Sequence, residues 1–341
     1  MARVDLTVRG AGIFGLSVAW EATRRGARVR VIEAVGVGAG SSGGVVGALS
    51  PHVPENWNEK KAFQLDSLLM AEGWWREVEA ASGLRSGYAR LGRLQPLADE
   101  AAVALALARG AEAAELWRGQ AAWRVVAATG AAWEPVSPSG WLVADDLSAR
   151  LHPRLACAAL VGAIRAEGGE VIMGAAEDAG PVVWATGASG LAELGADLGR
   201  DMGGAEKGQA ILLRHAAPEL PQLLVAGLHV VPHVDGTVAV GSTSERDYQD
   251  LGVDHRADDL HARAVAALPV LAGAEVVERW AGLRPRSKSR APVLGAWAGR
   301  AGHFIANGGF KIGFGMAPKV AEVMVDLVLE GRDAVPEGFR V

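Results

Sequence analysis

The chain has very little cysteine: Cys157 is the only one among 341 residues. A single cysteine excludes an intramolecular disulfide and any metal site built from several cysteines. Cys157 falls on the apolar side of a predicted helix, where we expect a buried and unreactive thiol. The sequence also lacks a Ser–His–Asp arrangement and any spacing typical of metal ligands, so we predict neither a catalytic triad nor a metal site.

The chain also lacks a net positive charge and long apolar runs. The formal net charge is −5 and no long basic run occurs, so we expect no nucleic-acid partner. No apolar stretch reaches the roughly eighteen residues that a membrane-spanning helix needs. Because the first strand is predicted to begin by Val4, we expect no signal peptide and a cytoplasmic location. The length of 341 residues suits two domains of ordinary size.

The strongest motif lies near the N-terminus. A strand, a glycine turn, a helix, a second strand and an acid follow one another there: residues 4–8, the G-x-G-x-x-G of residues 10–15, residues 16–25, residues 27–32 and Glu33. Gly10 permits the tight turn, Gly12 lets the backbone approach a pyrophosphate, and Gly15 lets the helix pack close to the strand. Glu33 can accept hydrogen bonds from both hydroxyls of an adenosine ribose. We predict a dinucleotide site; the alternative is a glycine-rich turn in an ordinary βαβ unit.

A run rich in glycine, alanine and serine follows at residues 37–49. Such a run builds no packed core, but it lets the backbone approach a flat ligand and supplies N–H and hydroxyl donors. Its position directly after Glu33 favours contact with the cofactor over the alternative, a flexible linker.

A second signal lies at residues 181–189, where a β-branched run enters a turn at Thr186 and Gly187. In a doubly wound sheet, a small-residue turn at the carboxyl end of a buried strand lies beside the cofactor. This motif therefore supports the dinucleotide site predicted from the first one.

Hydrophobic periodicity predicts the remaining elements. Helices are expected at residues 60–81, 99–117, 146–167, 258–268 and 316–330. Strands are expected within residues 84–97, 123–143, 207–214, 276–283 and 303–306, with a hairpin over residues 223–241 that turns at Asp235 and Gly236.

Taken together, these motifs resemble the FAD-dependent D-amino-acid oxidase superfamily, the group that holds glycine oxidase and monomeric sarcosine oxidase. The likeness covers nearly the whole chain in the right order. Beyond the stretches described above it includes residues 207–209 (Lys-Gly-Gln), the Val-Pro hairpin at 230–234, residues 241–243 (Gly-Ser-Thr), residues 282–285 (Gly-Leu-Arg-Pro) and the glycine loop at 307–315.

The resemblance implies an α/β fold with a Rossmann-like FAD-binding domain, whose mixed sheet is mostly parallel, and a substrate domain built on an antiparallel sheet. It implies a discontinuous FAD-binding domain of residues 1–83, 140–200 and 291–341, with residues 84–139 and 201–290 forming the substrate domain. The residues it implies at FAD are Gly10, Gly12, Ile13, Phe14, Gly15, Glu33, Ala34, Ser41, Ser42, Gly47, Ala48, Leu49, Thr186, Gly187, Arg284, Gly309, Phe310, Lys311 and Ile312. Some relatives attach the flavin to a cysteine near the C-terminal loop; since none lies there, we expect noncovalent FAD.

The chain departs from the family pattern in three places. Residues 170–180 are fewer than the family usually has before the Thr-Gly turn, so no adenine contact is carried over from them. The hairpin begins with His229 where many members have a tyrosine. Lys311 stands where glycine oxidase-like members have an arginine, and it matches the sarcosine oxidase pattern, in which a lysine helps to hold the substrate carboxylate.

Amine oxidation at a flavin removes a hydride equivalent from the carbon next to nitrogen, and the resulting imine is hydrolysed by water. No catalytic acid or base is required when the amine arrives neutral, so we assign no catalytic side chain; the site needs an anchor for the substrate. Arg284 is predicted as that anchor, because its planar fork can hold a carboxylate through two charge-assisted hydrogen bonds. Its alternative is a structural salt bridge at a strand end.

Three further residues are predicted at the substrate. Lys311 would supply a second positive charge, and its alternative is a solvated surface lysine. His229 takes the aromatic position on the hairpin. His52 is the remaining candidate, and both it and His233 are alternatively structural histidines.

The predicted function is FAD-dependent oxidation of the C–N bond of a small amino acid or secondary amine. One alternative is an FAD oxidase domain acting on the side chain of a modified tRNA uridine, a group to which residues 48–51 have a slight likeness. Another is a flavin-binding subunit of a larger amine dehydrogenase complex. Direct binding of NAD would leave Thr186 and Lys311 without an evident purpose.

Overall fold

The computed structural model describes residues 4–341. Its helices are α1 (Ile13–Arg24), α2 (Glu59–Ser82), α3 (Glu100–Leu116), α4 (Pro153–Ala166), α5 (Gly187–Leu198), α6 (Arg256–Ala267) and α7 (Gly313–Glu330). Its strands are β1 (Leu6–Arg9), β2 (Val29–Glu33), β3 (Ala48–Leu49), β4 (Arg93–Pro96), β5 (Trp123–Ala127), β6 (Trp141–Asp145), β7 (Ala149–Arg150), β8 (Glu170–Met173), β9 (Val182–Trp184), β10 (Gly203–Arg214), β11 (Gln222–Val225), β12 (Leu228–Pro232), β13 (Thr237–Gly241), β14 (Val276–Ser287), β15 (Val293–Ala296) and β16 (His303–Asn307).

The first sheet has six strands in the order β15-β16-β9-β1-β2-β8. Strand β1 lies in its middle and pairs in parallel with β2 and β9, and the β15–β16 pair is antiparallel. Leu6 and Val8 of β1 are fully buried among side chains that include those of α1, α4 and α7. Strands buried on both faces read as near-continuous apolar runs, which is why the short β-branched segments of the sequence could be recognised as strands.

The second sheet has eight strands in the order β14-β10-β13-β12-β11-β4-β6-β5. Its pairs are antiparallel except that of β11 with β4. The two long strands β10 and β14 pair from Gly203 opposite Ser287 to Leu213 opposite Val276. One face of this sheet packs on α6 around fully buried Ile211 and Leu213. The predicted fold class, a mostly parallel sheet joined to an antiparallel one, is thus confirmed.

The helix predicted at residues 146–167 begins later than expected, at Pro153. The side chain of Asp145 accepts a hydrogen bond from the backbone N–H of Ser148 at 2.8 Å, which forms a turn instead of a helix start. Residues 149–150 then pair with β3, and the His152 side chain caps α4 by accepting from the N–H of Leu155. Local turn and strand contacts therefore override the helical pattern of residues 146–152.

The predicted division into two domains remains a prediction, and its first three residues lie outside the described part of the chain. All six strands of the first sheet fall within the segments assigned to the FAD-binding domain. Strand β6 also falls within those segments, but it pairs with β4 and β5 of the second sheet. A boundary after β6 would follow the sheets more closely than the predicted boundary at residue 140.

Two features, a helix able to span a membrane and a metal-binding cluster, are absent from residues 4–341. None of their helices combines the length and the apolar character required to cross a bilayer. No group of three or more His, Cys, Asp or Glu side chains in this part of the chain is arranged to hold a metal ion.

Candidate active site

A cavity of about 570 Å³ lies where the carboxyl ends of β1, β2, β9 and β16 meet the second sheet. Among the predicted site residues, those on its wall are Gly10, Gly12, Ile13, Phe14, Glu33, Ala34, Ser41, Ser42, Ala48, Thr186, Gly187, His229, Arg284, Gly309, Phe310 and Lys311. Gly15, Gly47, Leu49, Ile312 and His52 were predicted as well but do not line it. The cavity joins the N-terminal dinucleotide motif to the charged residues that come almost three hundred residues later.

The glycine turn has the geometry that its motif predicts. Gly10 has a φ of +103°, and a Cβ added there would lie 2.5 Å from the carbonyl oxygen of Ala185. A Cβ on Gly15 would lie 2.0 Å from the carbonyl oxygen of Gly10, so Gly15 acts in helix–strand packing and not at the cavity wall. Helix α1 begins at Ile13, whose N–H donates to Ser42 Oγ at 2.9 Å. The positive end of the helix dipole therefore lies at the cavity, where a pyrophosphate would be favoured.

Glu33 links the end of β2 to the glycine turn. Its Oε2 accepts from the N–H of Ala11 at 2.7 Å, and its Oε1 accepts from the N–H of Val35 at 2.9 Å. Oε1 also accepts from the N–H of Gly36 at 3.4 Å, so of the about four lone-pair sites of a carboxylate the open one is on Oε2. Glu33 can accordingly accept a hydrogen bond from a ribose hydroxyl through Oε2 while it holds the turn.

The glycine–serine run contributes in two ways. Ser41, Ser42 and Ala48 lie on the cavity wall. Gly47 instead supports the backbone, since a Cβ there would lie 1.9 Å from the carbonyl oxygen of Leu151. Leu49 is fully buried in the core of the first sheet. Only part of the run can therefore touch a ligand.

The short segment of residues 170–180 contains β8 and then a loop that is tied to β1. Thr7 Oγ1 donates to the carbonyl oxygen of Ala179 at 2.8 Å, and Arg9 Nε donates to Asp178 Oδ1 at 2.8 Å. Gly174, at the start of this loop, lines the cavity. The segment thus still borders the cavity despite its shortness.

Thr186 and Asn307 meet at the carboxyl ends of β9 and β16. Asn307 Nδ2 donates to the carbonyl oxygen of Gly187 at 2.8 Å, and its Oδ1 accepts from the N–H of Gly308. The buried Thr186 Oγ1 has no hydrogen-bond partner among residues 4–341. A buried hydroxyl without a partner on the wall of a cavity is expected to bond to a ligand.

Arg284 lies within β14 and faces the cavity with only 7% of its surface exposed. Its Nη1 donates to the carbonyl oxygen of Thr243 at 3.1 Å, and its Nη2 donates to Ser242 Oγ at 2.5 Å. No carboxylate in the described chain forms an ion pair with it, although Glu206 and Glu245 are near enough to act on it electrostatically. The structural salt bridge considered as an alternative is therefore absent from the described residues.

Lys311 lies beside Arg284 at the cavity wall. Its Nζ donates to Ser244 Oγ and lies 3.8 Å from Glu206 Oε1. Burial first, and then the nearby Arg284 charge, lower the pKa of Lys311 below its ordinary value. Two cations thus face one cavity, which favours an anionic ligand.

The two predicted histidines differ in position. His229, on β12, lines the cavity, and its Nδ1 has no hydrogen-bond partner in the described chain. Burial, with smaller effects of Arg93 and Lys311, lowers the pKa of His229 to about 4, so the ring is neutral at pH 7. His52 lies outside the cavity, where its ring and backbone N–H both bond to Gln64 Oε1. We therefore retain His229 as a substrate candidate and assign His52 a structural role.

The sequence reasoning missed Trp280, Ser242 and Phe314, which also line the cavity. Trp280 lies against Gly282, where a Cβ would be 2.3 Å from the indole ring. Residues 280, 282 and 284 share one face of β14, since side chains alternate along a strand. Once Arg284 had been predicted to face the site, this alternation could have identified Trp280.

The parallel sheet, the glycine turn, the acid at the end of β2 and the two cations at the cavity together define a dinucleotide-dependent enzyme whose ligand reaches from the first sheet to the second. The profile of one family, described as FAD dependent oxidoreductase, matches residues 5–327. The chain therefore belongs to the FAD-dependent oxidoreductase family, and the resemblance inferred from the sequence is confirmed.

Individual relatives agree with this membership. Glycine oxidase from Pseudomonas putida is 36% identical over 140 residues, an alignment that spans 39% of this chain and only 38% of that protein. Glycine oxidase from Geobacillus kaustophilus is 26% identical over 96% of this chain and 93% of that protein. The solved structure of the Geobacillus enzyme aligns with a TM-score of 0.84 at 22% identity, covering 98% of this chain and 97% of that one. The structure of iminodiacetate oxidase from Chelativorans sp. BNC1 aligns with a TM-score of 0.85 at 22% identity, covering 98% of both chains.

The residues at the cavity fit FAD. The start of α1 and the hydroxyl of Ser42 suit the pyrophosphate, and the open site on Glu33 Oε2 suits a ribose hydroxyl. The unpartnered Thr186 hydroxyl provides a further polar contact. The second sheet closes the other side of the cavity, next to Arg284 and Lys311.

Proposed function

We propose that the protein oxidises the C–N bond of a small amino acid or a secondary amine bearing a carboxylate. Bound FAD would supply the redox chemistry by accepting a hydride equivalent from the carbon next to nitrogen. The observation that carries the proposal is the buried Arg284, which faces the FAD cavity without an ion-pair partner in the described chain. A guanidinium in that setting is suited to a carboxylate, since the charges then compensate each other.

The side chains of the chain would bind and orient the substrate. Arg284 offers N–H groups of its planar fork to the carboxylate, and Lys311 adds a second positive charge beside it. The neutral ring of His229 presents an unpartnered Nδ1 that can accept a hydrogen bond from the substrate nitrogen. Trp280 forms an apolar part of the wall. These contacts fix the substrate so that one C–H bond can face the cofactor.

We further propose that FAD is held without a covalent bond. Cys157 is 2% exposed and lies inside α4, and burial raises the pKa of its thiol to about 12. A neutral, buried thiol is a poor nucleophile. Acid precipitation should leave the flavin in the supernatant; flavin absorbance that stays with the protein would contradict this proposal.

The test of the function is anaerobic mixing with a panel of amino acids and N-methyl amino acids, followed by flavin absorbance. We expect at least one of them to bleach the oxidised flavin band, and amines without a carboxylate to bleach it far more slowly. If no member of the panel bleaches the flavin, the proposed function is wrong. A decarboxylated partner of each substrate, such as methylamine for glycine, is the matched control.

A further inference from the structure

We propose that Lys207, Gly208 and Gln209 of β10, here called the anchor seat, position Arg284 for the substrate carboxylate. Gly208 would leave the space in which the guanidinium lies. Lys207 and Gln209 would hold the segment 242–245 that supplies its hydrogen-bond acceptors. This inference rests on the proposed function, because it takes Arg284 as the carboxylate anchor.

Gly208 lies directly against the Arg284 guanidinium. In the register of β10 and β14, Arg284 is opposite Glu206, and its side chain leans along the sheet over Gly208. A Cβ built on Gly208 would lie 1.9 Å from Arg284 Nη2 and 2.2 Å from Cζ. Any side chain at this position must therefore displace the guanidinium from its present place.

The segment 242–245 holds the other side of the guanidinium. Ser242 Oγ and the carbonyl oxygen of Thr243 accept hydrogen bonds from Arg284, and Ser244 Oγ accepts one from Lys311. Consecutive residues of one short segment thus orient both cations of the site. A shift of this segment would move both of them together.

Backbone bonds attach this segment to the anchor seat. The N–H of Lys207 donates to the carbonyl oxygen of Glu245 at 2.9 Å, and the N–H of Glu245 donates to the carbonyl oxygen of Lys207 at 2.9 Å. The N–H of Gln209 donates to Thr243 Oγ1 at 2.8 Å, and the N–H of Thr243 donates to the carbonyl oxygen of Gln209 at 3.0 Å. The segment behaves as a short extra strand on β10.

Side chains reinforce the attachment on the face of β10 opposite Gly208. Gln209 Nε2 donates to Glu245 Oε1 at 3.0 Å and to Asp254 Oδ1 at 2.8 Å, while its Oε1 accepts from the N–H of Asp254 at 2.8 Å. Gln209 is fully buried and uses both ends of its amide. It therefore joins the beginning and the end of the loop that follows β13.

Lys207 balances the charge of this cluster. Its side chain is 2% exposed, and its Nζ lies 3.8 Å from Glu245 Oε2 and 3.7 Å from Asp254 Oδ2. Arg256 Nη1 forms an ion pair with the same Glu245 oxygen at 2.9 Å. Each carboxylate of the cluster thus has a cationic partner, and the loss of one partner would leave a costly unpaired charge. The cluster would thus keep segment 242–245 in a single position.

The first test compares Gly208→Ala with Gly204→Ala on the same strand. A Cβ on Gly204 meets nothing within 4 Å, so this variant controls for the replacement itself. Acetate binding is followed as a change in the absorbance of bound FAD, and FAD affinity and thermal midpoint are measured alongside. We expect the Kd for acetate to rise about tenfold or more in Gly208→Ala, because the displaced guanidinium would lose at least one charge-assisted hydrogen bond to acetate. Gly204→Ala should keep the wild-type value, and both variants should bind FAD normally.

The second test compares Gln209→Met with Gln222→Met. Both glutamines are buried and make several side-chain hydrogen bonds, but Gln222 bonds to the backbone of Leu49 and Ala149, away from Arg284. A merely structural role predicts that both variants lower the thermal midpoint and leave acetate affinity unchanged. We expect Gln209→Met to raise KM for the amino acid and Kd for acetate severalfold with little change in kcat, and Gln222→Met to affect stability alone.

The outcomes separate this inference from the proposed function. If wild-type protein binds FAD but neither acetate nor any amino acid changes its spectrum, the function is wrong and the inference falls with it. If the wild type responds and Arg284→Met abolishes the response, while Gly208→Ala and Gln209→Met keep wild-type affinity, the function stands and the anchor seat is refuted.

Discussion

His233 should make the folded protein sensitive to mild acid. It follows β12, is fully buried, and has its Nδ1 3.3 Å from Thr237 Oγ1. The ring of His152 lies 4.6 Å away between centroids. Burial is the main cause that lowers the pKa of His233 from 6.5 to about 3; His152 and Arg150 act in the same direction and Asp235 in the opposite one.

The sign and size of the effect follow from that shift. Because the pKa is lower in the folded state, the unfolded chain binds the proton first, so the contribution of the neutral ring is complete above about pH 6.5 and is lost as the pH falls towards 3. A pH of 5 lies about 1.5 units below the pKa of the unfolded chain. At about 1.4 kcal/mol per unit, the folded protein loses about 2 kcal/mol of stability at that pH. The lowered pKa of His152, which also follows from burial, adds to the loss in the same direction.

Urea unfolding at pH 7.5 and pH 5 measures this difference. We expect His233→Gln to lose about 2 kcal/mol less than the wild type between the two pH values, since glutamine does not titrate there. Thr237→Val, which removes the neighbouring hydroxyl but keeps the ring, should retain the wild-type pH dependence. Equal pH dependence in wild type and His233→Gln would refute the assignment of the acid sensitivity to this ring.

Three further predictions concern the cavity. Arg284→Met should weaken acetate binding by a factor of about 30 or more, because removal of one partner of a buried charge pair costs at least about 2 kcal/mol. FAD should remain bound. Unchanged acetate affinity in a spectral titration would exclude the anchor role. Glu33→Gln should lower FAD affinity about tenfold in fluorescence titrations of the apoprotein, since its charge-assisted bonds to hydroxyl groups are weakened; equal affinity would contradict the ribose contact. Thr186→Val should raise or maintain the thermal midpoint of the apoprotein, because it removes a buried hydroxyl without a partner in the described chain. The same variant should bind FAD severalfold more weakly. A lower apoprotein midpoint would show that the hydroxyl already has a structural role.

The cofactor half of the site could be predicted from the sequence because its residues are close together along the chain. Gly10, Gly15 and Glu33 belong to one βαβ unit, in which spacing alone determines where each residue lies. The prediction of a helix at residues 146–167 was wrong at its N-terminal end for a related reason. Residues 146–152 have a helical pattern, but the bonds that decide their structure come from Asp145 and from β3.

The substrate half could be predicted only through the family resemblance. Arg284 and Lys311 were predicted from motifs. Trp280 belonged to no motif, and Ser242 lay in the Gly-Ser-Thr motif without being given a role at the site, so both were missed. Their places depend on how β14 pairs with β10 and on the course of the loop after β13, and both are long-range features of the fold. Hydrophobic alternation does not reveal such a register in a glycine-rich strand, where several positions on one face carry no side chain.

Arg284 shows why that register matters for function. Arg284 is 7% exposed, and a guanidinium in such a residue without an ion pair in the described chain costs folding free energy. Its two hydrogen bonds to Ser242 and Thr243 offset only part of that cost. Gly208 opens the space that this side chain requires, and Gly282, opposite it in the register, leaves room for the Trp280 ring. A strand pair optimised for stability alone would place apolar side chains at these positions. The arrangement is better explained by an anionic ligand that completes the charge balance. This explanation requires a carboxylate to stabilise the protein against heat, by an amount that grows with the logarithm of its concentration divided by its Kd.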